Sequence, residues 1–166
     1  MFWKHGFADA SLQDLEKATG VNKSGLYSEF AGKEDLFLES LRLYVDRQQQ
    51  RGLLIAEPLG WDNIERFLKL GLCDTEGQKG CFAISSMREL AILPPEAIEI
   101  VRQSRVRLKQ LIAKNIEAER PKMDVDELAG MVLTFFTGLG TEQNLRSSRA
   151  ATGRKTDNLM QLLRSL

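Results

Sequence analysis

From Asp124 onward the apolar residues Leu128, Met131, Val132, Phe135, Phe136 and Leu139 fall at i, i+3, i+4, i+7, i+8 and i+11. That spacing lays one broad apolar face along an α-helix, whereas a strand, which alternates sides at every residue, would scatter the same six over both faces. Shorter segments repeat the helical period, and β-branched residues are sparse and rarely alternate with polar ones. The fold class expected is all-α.

Capping and breaking residues divide the chain into helices. Met1 to His5 is a stub stopped by Gly6, too short to hold as a helix alone, so the first helix is expected to continue upstream. Ser11 and Asp14 form a capping box with the shorter acid, opening a brief helix over 12–19 that carries Leu12, Leu15 and Ala18 on one face and ends at Gly20. Asn22 caps a second short helix, Lys23 to Phe30, with Leu26 and Phe30 on the same apolar side as Val21. A longer connector follows from Lys33 to about Gln50, bearing Leu36, Phe37, Leu41, Tyr44 and Val45. Beyond Pro58 and Gly60 the pattern predicts helices from about Asn63 to Cys73 and from Cys81 to Ala91, joined by the polar loop DTEGQKG. Pro95 opens a long helix to about Arg120, which Pro121 closes. After the apolar helix from Asp124, a basic loop, RSSRAATGRK, leads to a last helix with Leu159, Leu162, Leu163 and Leu166 on one face.

Charge and composition narrow the function. Lys and Arg number 23, as do Asp and Glu, so no global field draws the molecule onto nucleic acid or membrane, and any such binding is local. No apolar run approaches the length of a membrane span and no leader peptide is visible, which points to the cytoplasm. Cys73 and Cys81 are not a disulfide framework; they read as small buried hydrophobes, with redox sensing the less favoured alternative. His5 with two sequence-distant cysteines supplies no metal-ligand spacing, and no nucleophile–base set, P-loop or GxGxxG occurs. Neither a metal, a cofactor nor an enzyme activity is expected. Arg146, Arg149, Arg154 and Lys155 read as a solvated surface rather than a second nucleic-acid contact.

Two short helices across a glycine turn, followed by a longer one, have the layout of a helix-turn-helix. The residues over 6–37, GFADASLQDLEKATGVNKSGLYSEFAGKEDLF, carry Gly6, Phe7, Ser11, Gly20, Val21, Lys23, Leu26, Tyr27, Phe30, Lys33, Glu34, Leu36 and Phe37 in an order that resembles the DNA-binding segment of TetR-family transcriptional regulators. The resemblance implies a recognition helix at 23–30. Lys23, Ser24, Gly25 and Ser28 would lie at its exposed start, with Gly25 allowing close approach of backbone to DNA. Tyr27, Lys33 and Ser11 would hold phosphates, and Gln13 would reach a base edge from the preceding helix. Leu15, Val21, Leu26 and Phe30 are assigned to the core.

The same resemblance implies two domains: residues 1–50, a helix-turn-helix with its connector, and 51–166, a larger helical domain for effector binding and dimerisation. The two last long helices would pack against their copies as a four-helix bundle, Gly138 and Gly140 allowing close approach; the alternative is that the apolar stripe fills only the monomer's own core. Pocket candidates among the middle helices are Phe67, Leu70, Phe82, Ser85, Ser86, Met87 and Phe135. The function implied is a homodimeric repressor of a palindromic double-stranded DNA operator, released by a small-molecule effector. Residues 1–50 hold six basic and eight acidic side chains, a net −2, which keeps open a second reading: a helical small-molecule-binding or interaction protein with impaired DNA binding.

Overall fold

The computed structural model describes residues 1–47, 51–70, 80–144 and 149–166. They form the α-helices α1 (Phe2–Asp9), α2 (Leu12–Thr19), α3 (Lys23–Glu29), α4 (Lys33–Asp46), α5 (Arg51–Leu54), α6 (Trp61–Leu70), α7 (Phe82–Ser86), α8 (Pro95–Ala118), α9 (Val125–Asn144) and α10 (Arg149–Leu163), with a 3-10 turn at Met87–Glu89. There is no strand among the described residues, and the fold is all-α. The chain packs into two compact units, Met1–Arg47 with Phe82–Arg102, and Gln48–Cys81 with Gln103–Leu166. The division of the sequence at 50/51 differs from this in one respect: Phe82–Arg102 joins the N-terminal helices.

Aromatic packing explains that grouping. Phe37, fully buried on α4, meets the rings of Phe2, Phe7 and Phe82 edge-on at centroid distances of 5.2, 5.1 and 5.7 Å. Tyr44, two turns further along α4, meets Trp3 at 5.0 Å and Phe82 at 5.6 Å. Burying one such ring contributes about 2–3 kcal/mol, so Phe82 belongs where three aromatic partners, Trp3, Phe37 and Tyr44, wait. The first helix also runs further than the stub read from sequence. It extends to Asp9 across a kink at Gly6, whose φ of 83° and ψ of −179° are open to glycine alone.

Local rules hold through α2 and α3. Ser11 and Asp14 make the reciprocal capping box, Gly20 closes α2 in the left-handed region at φ 71°, and the Asn22 side chain caps α3 by accepting from Gly25 N at 2.8 Å. Val21 departs from expectation: assigned to the core, it is 42% exposed. It sits before the cap, where it covers Gly25 rather than the interior.

In the second unit α6 buries Trp61, Ile64, Phe67 and Leu68, and Phe67 stacks at a tilt on Phe136 of α9, centroids 4.6 Å apart. Two buried amides tie the entry of α6 to α8. Asn63 Nδ2 donates to Asn115 Oδ1 at 2.9 Å and to Ala56 O at 2.7 Å; Asn115 accepts from Gly60 N at 3.0 Å and donates to Leu54 O at 2.8 Å. Outside, Arg164 bridges Asp62 and Glu65, and Lys69 bridges Glu65 and Asp157, fastening α6 to α10.

Four sequence readings change here. The helix expected over Cys81–Ala91 is α7 followed by the 3-10 turn. Residues 149–155, read as loop, already belong to α10; Arg154 is exposed there, and Lys155 pairs with Glu142, while Arg146 and the side chain of Arg149 lie outside the described residues. The inward face of α10 is Thr152, Thr156, Met160 and Leu163, with Leu162 65% exposed, because the helical phase is set by where the turn begins. On α9 the buried stripe takes in Leu128, Val132, Phe136 and Leu139 but leaves Met131 53% exposed. Cys81 is buried; Cys73 lies outside the described residues, as do the ends expected for the helices at Gln50 and Cys73. No helix among the described residues is long and apolar enough to cross a membrane.

Candidate nucleic-acid interface

The first turn of α2 is built by its cap. Ser11 Oγ accepts from Asp14 N at 3.2 Å and donates to Asp14 Oδ2 at 2.5 Å, while Ser11 N donates to the same carboxylate at 3.3 Å. These bonds, the hydroxyl's first, hold the Asp14 carboxyl below its ordinary range. The consequence for Ser11 is specific: its hydroxyl can donate to a phosphate only by leaving Asp14. Gln13, next on the helix, is exposed.

Helix α3 buries Leu26 alone. Lys23, Ser24, Tyr27 and Ser28 are exposed and Gly25 is partly so, which puts every candidate base or phosphate contact of α3 on the surface of its unit. Lys23 Nζ stands 5.7 Å from the centre of the Tyr27 ring, a cation–π contact that gathers positive charge beside a phenol 44% exposed. Ser28 Oγ donates to Gly25 O at 2.8 Å, so it faces a ligand first as an acceptor. A Cβ at Gly25 would lie 2.7 Å from Val21 Cγ1. A side chain here would therefore force Val21 to shift, independently of anything that approaches from outside.

Lys33, at the first position of α4, does not wave free. Its ammonium donates to Ala8 O at 3.1 Å and lies 4.7 Å from the centre of the Phe7 ring. Beside it runs an open groove of about 620 Å³, lined by Phe7, residues 31–35, Leu38, Pro94 and Glu96. Behind Phe7 stands a residue that sequence reasoning did not single out. Glu89, in the 3-10 turn, accepts from Phe7 N at 2.7 Å and Ala8 N at 2.9 Å, one carboxylate oxygen to each. Nothing in the sequence marks Glu89, because the contact spans 82 positions.

Known proteins decide what this head is. Residues 1–40 match the model of the bacterial regulatory proteins of the tetR family. The whole chain is 28% identical, over 98% of its length and 80% of the relative's, to the HTH-type transcriptional repressor ComR of Escherichia coli strain K12. Residues 1–40 are thus identified as a TetR-family segment. The relatives that share this segment are named as transcriptional regulators. The fold agrees with that of solved relatives. A TetR-family regulator from Agrobacterium tumefaciens superposes with a TM-score of 0.85 at 15% identity, over 96% of this chain and 90% of that one. CifR, in a structure with 26-bp operator DNA, gives 0.80 at 22% identity over 96% and 90%.

The effector residues expected from TetR-family resemblance divide between the units. In the first, Phe82 is in the aromatic cluster, Ser86 is buried with its hydroxyl donating to Phe82 O at 2.9 Å, and Ser85 and Met87 are half-buried. In the second, Phe67 is buried against Phe136, Phe135 is half-buried and Leu70 is exposed. Among the described residues, no group of three or more His, Cys, Asp or Glu is placed to hold a metal ion.

Proposed function

We propose that the chain is a homodimeric transcriptional repressor that places two α3 helices in the major groove of a palindromic operator and leaves the DNA when a small effector binds. The observation that carries this is the orientation of α3. Leu26 anchors it, and Lys23, Ser24, Tyr27 and Ser28 point away from its unit, as a helix entering a groove requires. Ser24, Ser28 and Gln13 then read base edges; Tyr27, Lys23, Lys33 and Ser11 hold phosphates. The repressor direction is supported by the name of the Escherichia coli relative, and the DNA partner by the operator complex of CifR.

Dimerisation is supported by what α9 and α10 leave uncovered. Met131, Thr134 and Gly138 are exposed along one side of α9, and Leu162 projects from α10. A two-fold pair joined there matches a two-fold operator. Effector release follows if the ligand prefers a state in which the two recognition helices no longer match successive grooves. Candidate contacts are Phe67, Leu70 and Phe135, and Phe82, Ser85, Ser86 and Met87.

Light scattering coupled to size exclusion, with gel shifts on the DNA flanking the protein's own gene, tests the reading. A dimer that shifts this DNA is expected, with Leu162→Asp producing monomer and abolishing the shift. An unaltered protein that is monomeric, or a Leu162→Asp variant that binds DNA as well as the unaltered protein does, would overturn the dimer; no shift at any salt concentration would overturn operator binding.

A further inference from the structure

Lys33 is offered to DNA by a chain of contacts that begins on a segment far away in sequence. The kink at Gly6 interrupts α1, so the amides of Phe7 and Ala8 open a new helical turn without partners of their own behind them. Glu89 supplies those partners, its two oxygens taking the two N–H groups at 2.7 and 2.9 Å. The backbone held in this way presents Ala8 O to the Lys33 ammonium at 3.1 Å, and the Phe7 ring lies beneath the same ammonium at 4.7 Å. Glycine at position 6 is what admits the carboxylate, since a Cβ there would stand 2.6 Å from Glu89 Oε2. An ammonium has three N–H donors. With one given to Ala8 O, Lys33 is held in a fixed place with donors left for an anion.

Resting on the reading of Lys33 as a phosphate ligand, we propose that Glu89 is a positioning residue for DNA binding, which preorganises Lys33 through the Phe7–Ala8 backbone without touching DNA. An unpositioned lysine loses rotamer freedom when it binds; one already seated loses less, so the same phosphate contact yields tighter binding. The carboxylate's negative charge near a DNA-binding surface is otherwise a disadvantage, which a merely electrostatic view would predict to be relieved by its removal.

The test is a double-mutant cycle on affinity and its salt dependence, measured by fluorescence anisotropy with a labelled duplex from the DNA flanking the protein's own gene. Lys33→Ala is expected to weaken binding roughly tenfold and lower the slope of log K against log salt by about one, the signature of one lost phosphate contact. Glu89→Ala is expected to weaken binding too, Glu89→Gln less so because the amide keeps one acceptor oxygen, and Glu89→Ala combined with Lys33→Ala to bind no worse than Lys33→Ala alone. Active-fraction titration separates this from misfolding, which lowers the amount of binding protein without changing slope or coupling. Losses that multiply in the double variant, or tighter binding by Glu89→Ala, overturn the positioning role while leaving Lys33 as a ligand. No effect of Lys33→Ala on affinity or slope overturns the reading of Lys33 itself, and the proposal with it.

Discussion

Gly6 matches the family pattern and Gly25 lies in the expected recognition helix, and the structure gives each glycine a different physical reason. Gly6 combines a backbone conformation that side chains avoid with a Cβ position 2.6 Å from a carboxylate oxygen; Gly20 is also at positive φ, but nothing lies within 4 Å of its Cβ position. Gly6→Ala is therefore expected to cost about 2–3 kcal/mol in urea unfolding, against about 1 kcal/mol for Gly20→Ala. Equal losses would show that Glu89 moves aside freely. Gly25 lies inside a helix, where alanine is intrinsically favoured by about 1 kcal/mol. Contact with Val21 should reverse that sign. Gly25→Ala is expected to destabilise the protein as it stands and to stabilise it when Val21→Ala is also present. Should the stabilised double variant still fail on DNA, close approach of the Gly25 backbone to the duplex is the remaining explanation.

At the level of helices, the sequence is most legible where a local rule decides the outcome. The Ser11–Asp14 box, Gly20, Asn22 and Pro95 set helix ends by hydrogen bonds or backbone limits a few residues long, and those boundaries are found as read. Legibility fails where packing between distant segments decides. The helix at 82–89 breaks into two pieces around Phe82 and Glu89, each held by partners far away in sequence. In α10, Thr152 and Thr156 face inward while Leu162 faces out, an arrangement invisible to a rule that seeks leucines. Glu89 could not be found at all from local pattern. The buried amides are equally silent in sequence, yet Asn115→Ala would leave Gly60 N without its acceptor and Leu54 O without the amide donor, at an expected cost of about 2–3 kcal/mol by chemical unfolding. A cost below about 1 kcal/mol would mean water replaces the amide.

Two lowered carboxyls shape the acid response. Asp14 is lowered chiefly by the Ser11 hydroxyl and Glu65 chiefly by Lys69, with Arg164 adding to it. A carboxyl with a folded pKa below its unfolded value stabilises fully above the unfolded value and loses that contribution as pH falls through the folded one. Thermal melts from about pH 6 down to about pH 2.5 should therefore show a steeper loss for the unaltered chain than for Glu65→Gln. Parallel profiles would contradict the assigned ion pairs.

On the scale of the whole molecule, a neutral chain with a net −2 over residues 1–50 has to bind DNA through a few placed cations rather than a field. Lys23, gathered over Tyr27, and Lys33, seated on Ala8 O, are such cations, and helix N-termini and hydroxyls add neutral donors. A modest salt dependence, corresponding to few phosphates per protomer, is the expected outcome of anisotropy titrations. A steep slope would point to basic residues outside the described head. The central claim, that α3 reads sequence while its flanks hold phosphates, is tested most directly by selecting bound duplexes from a random pool with the unaltered protein and with Ser24→Ala, Ser28→Ala, Tyr27→Phe and Lys33→Ala. The account predicts a two-fold symmetric site whose preferred bases shift for the two serine variants and stay unchanged, at weaker affinity, for the other two. Identical preferences from all five proteins, or a site without two-fold symmetry, would contradict it.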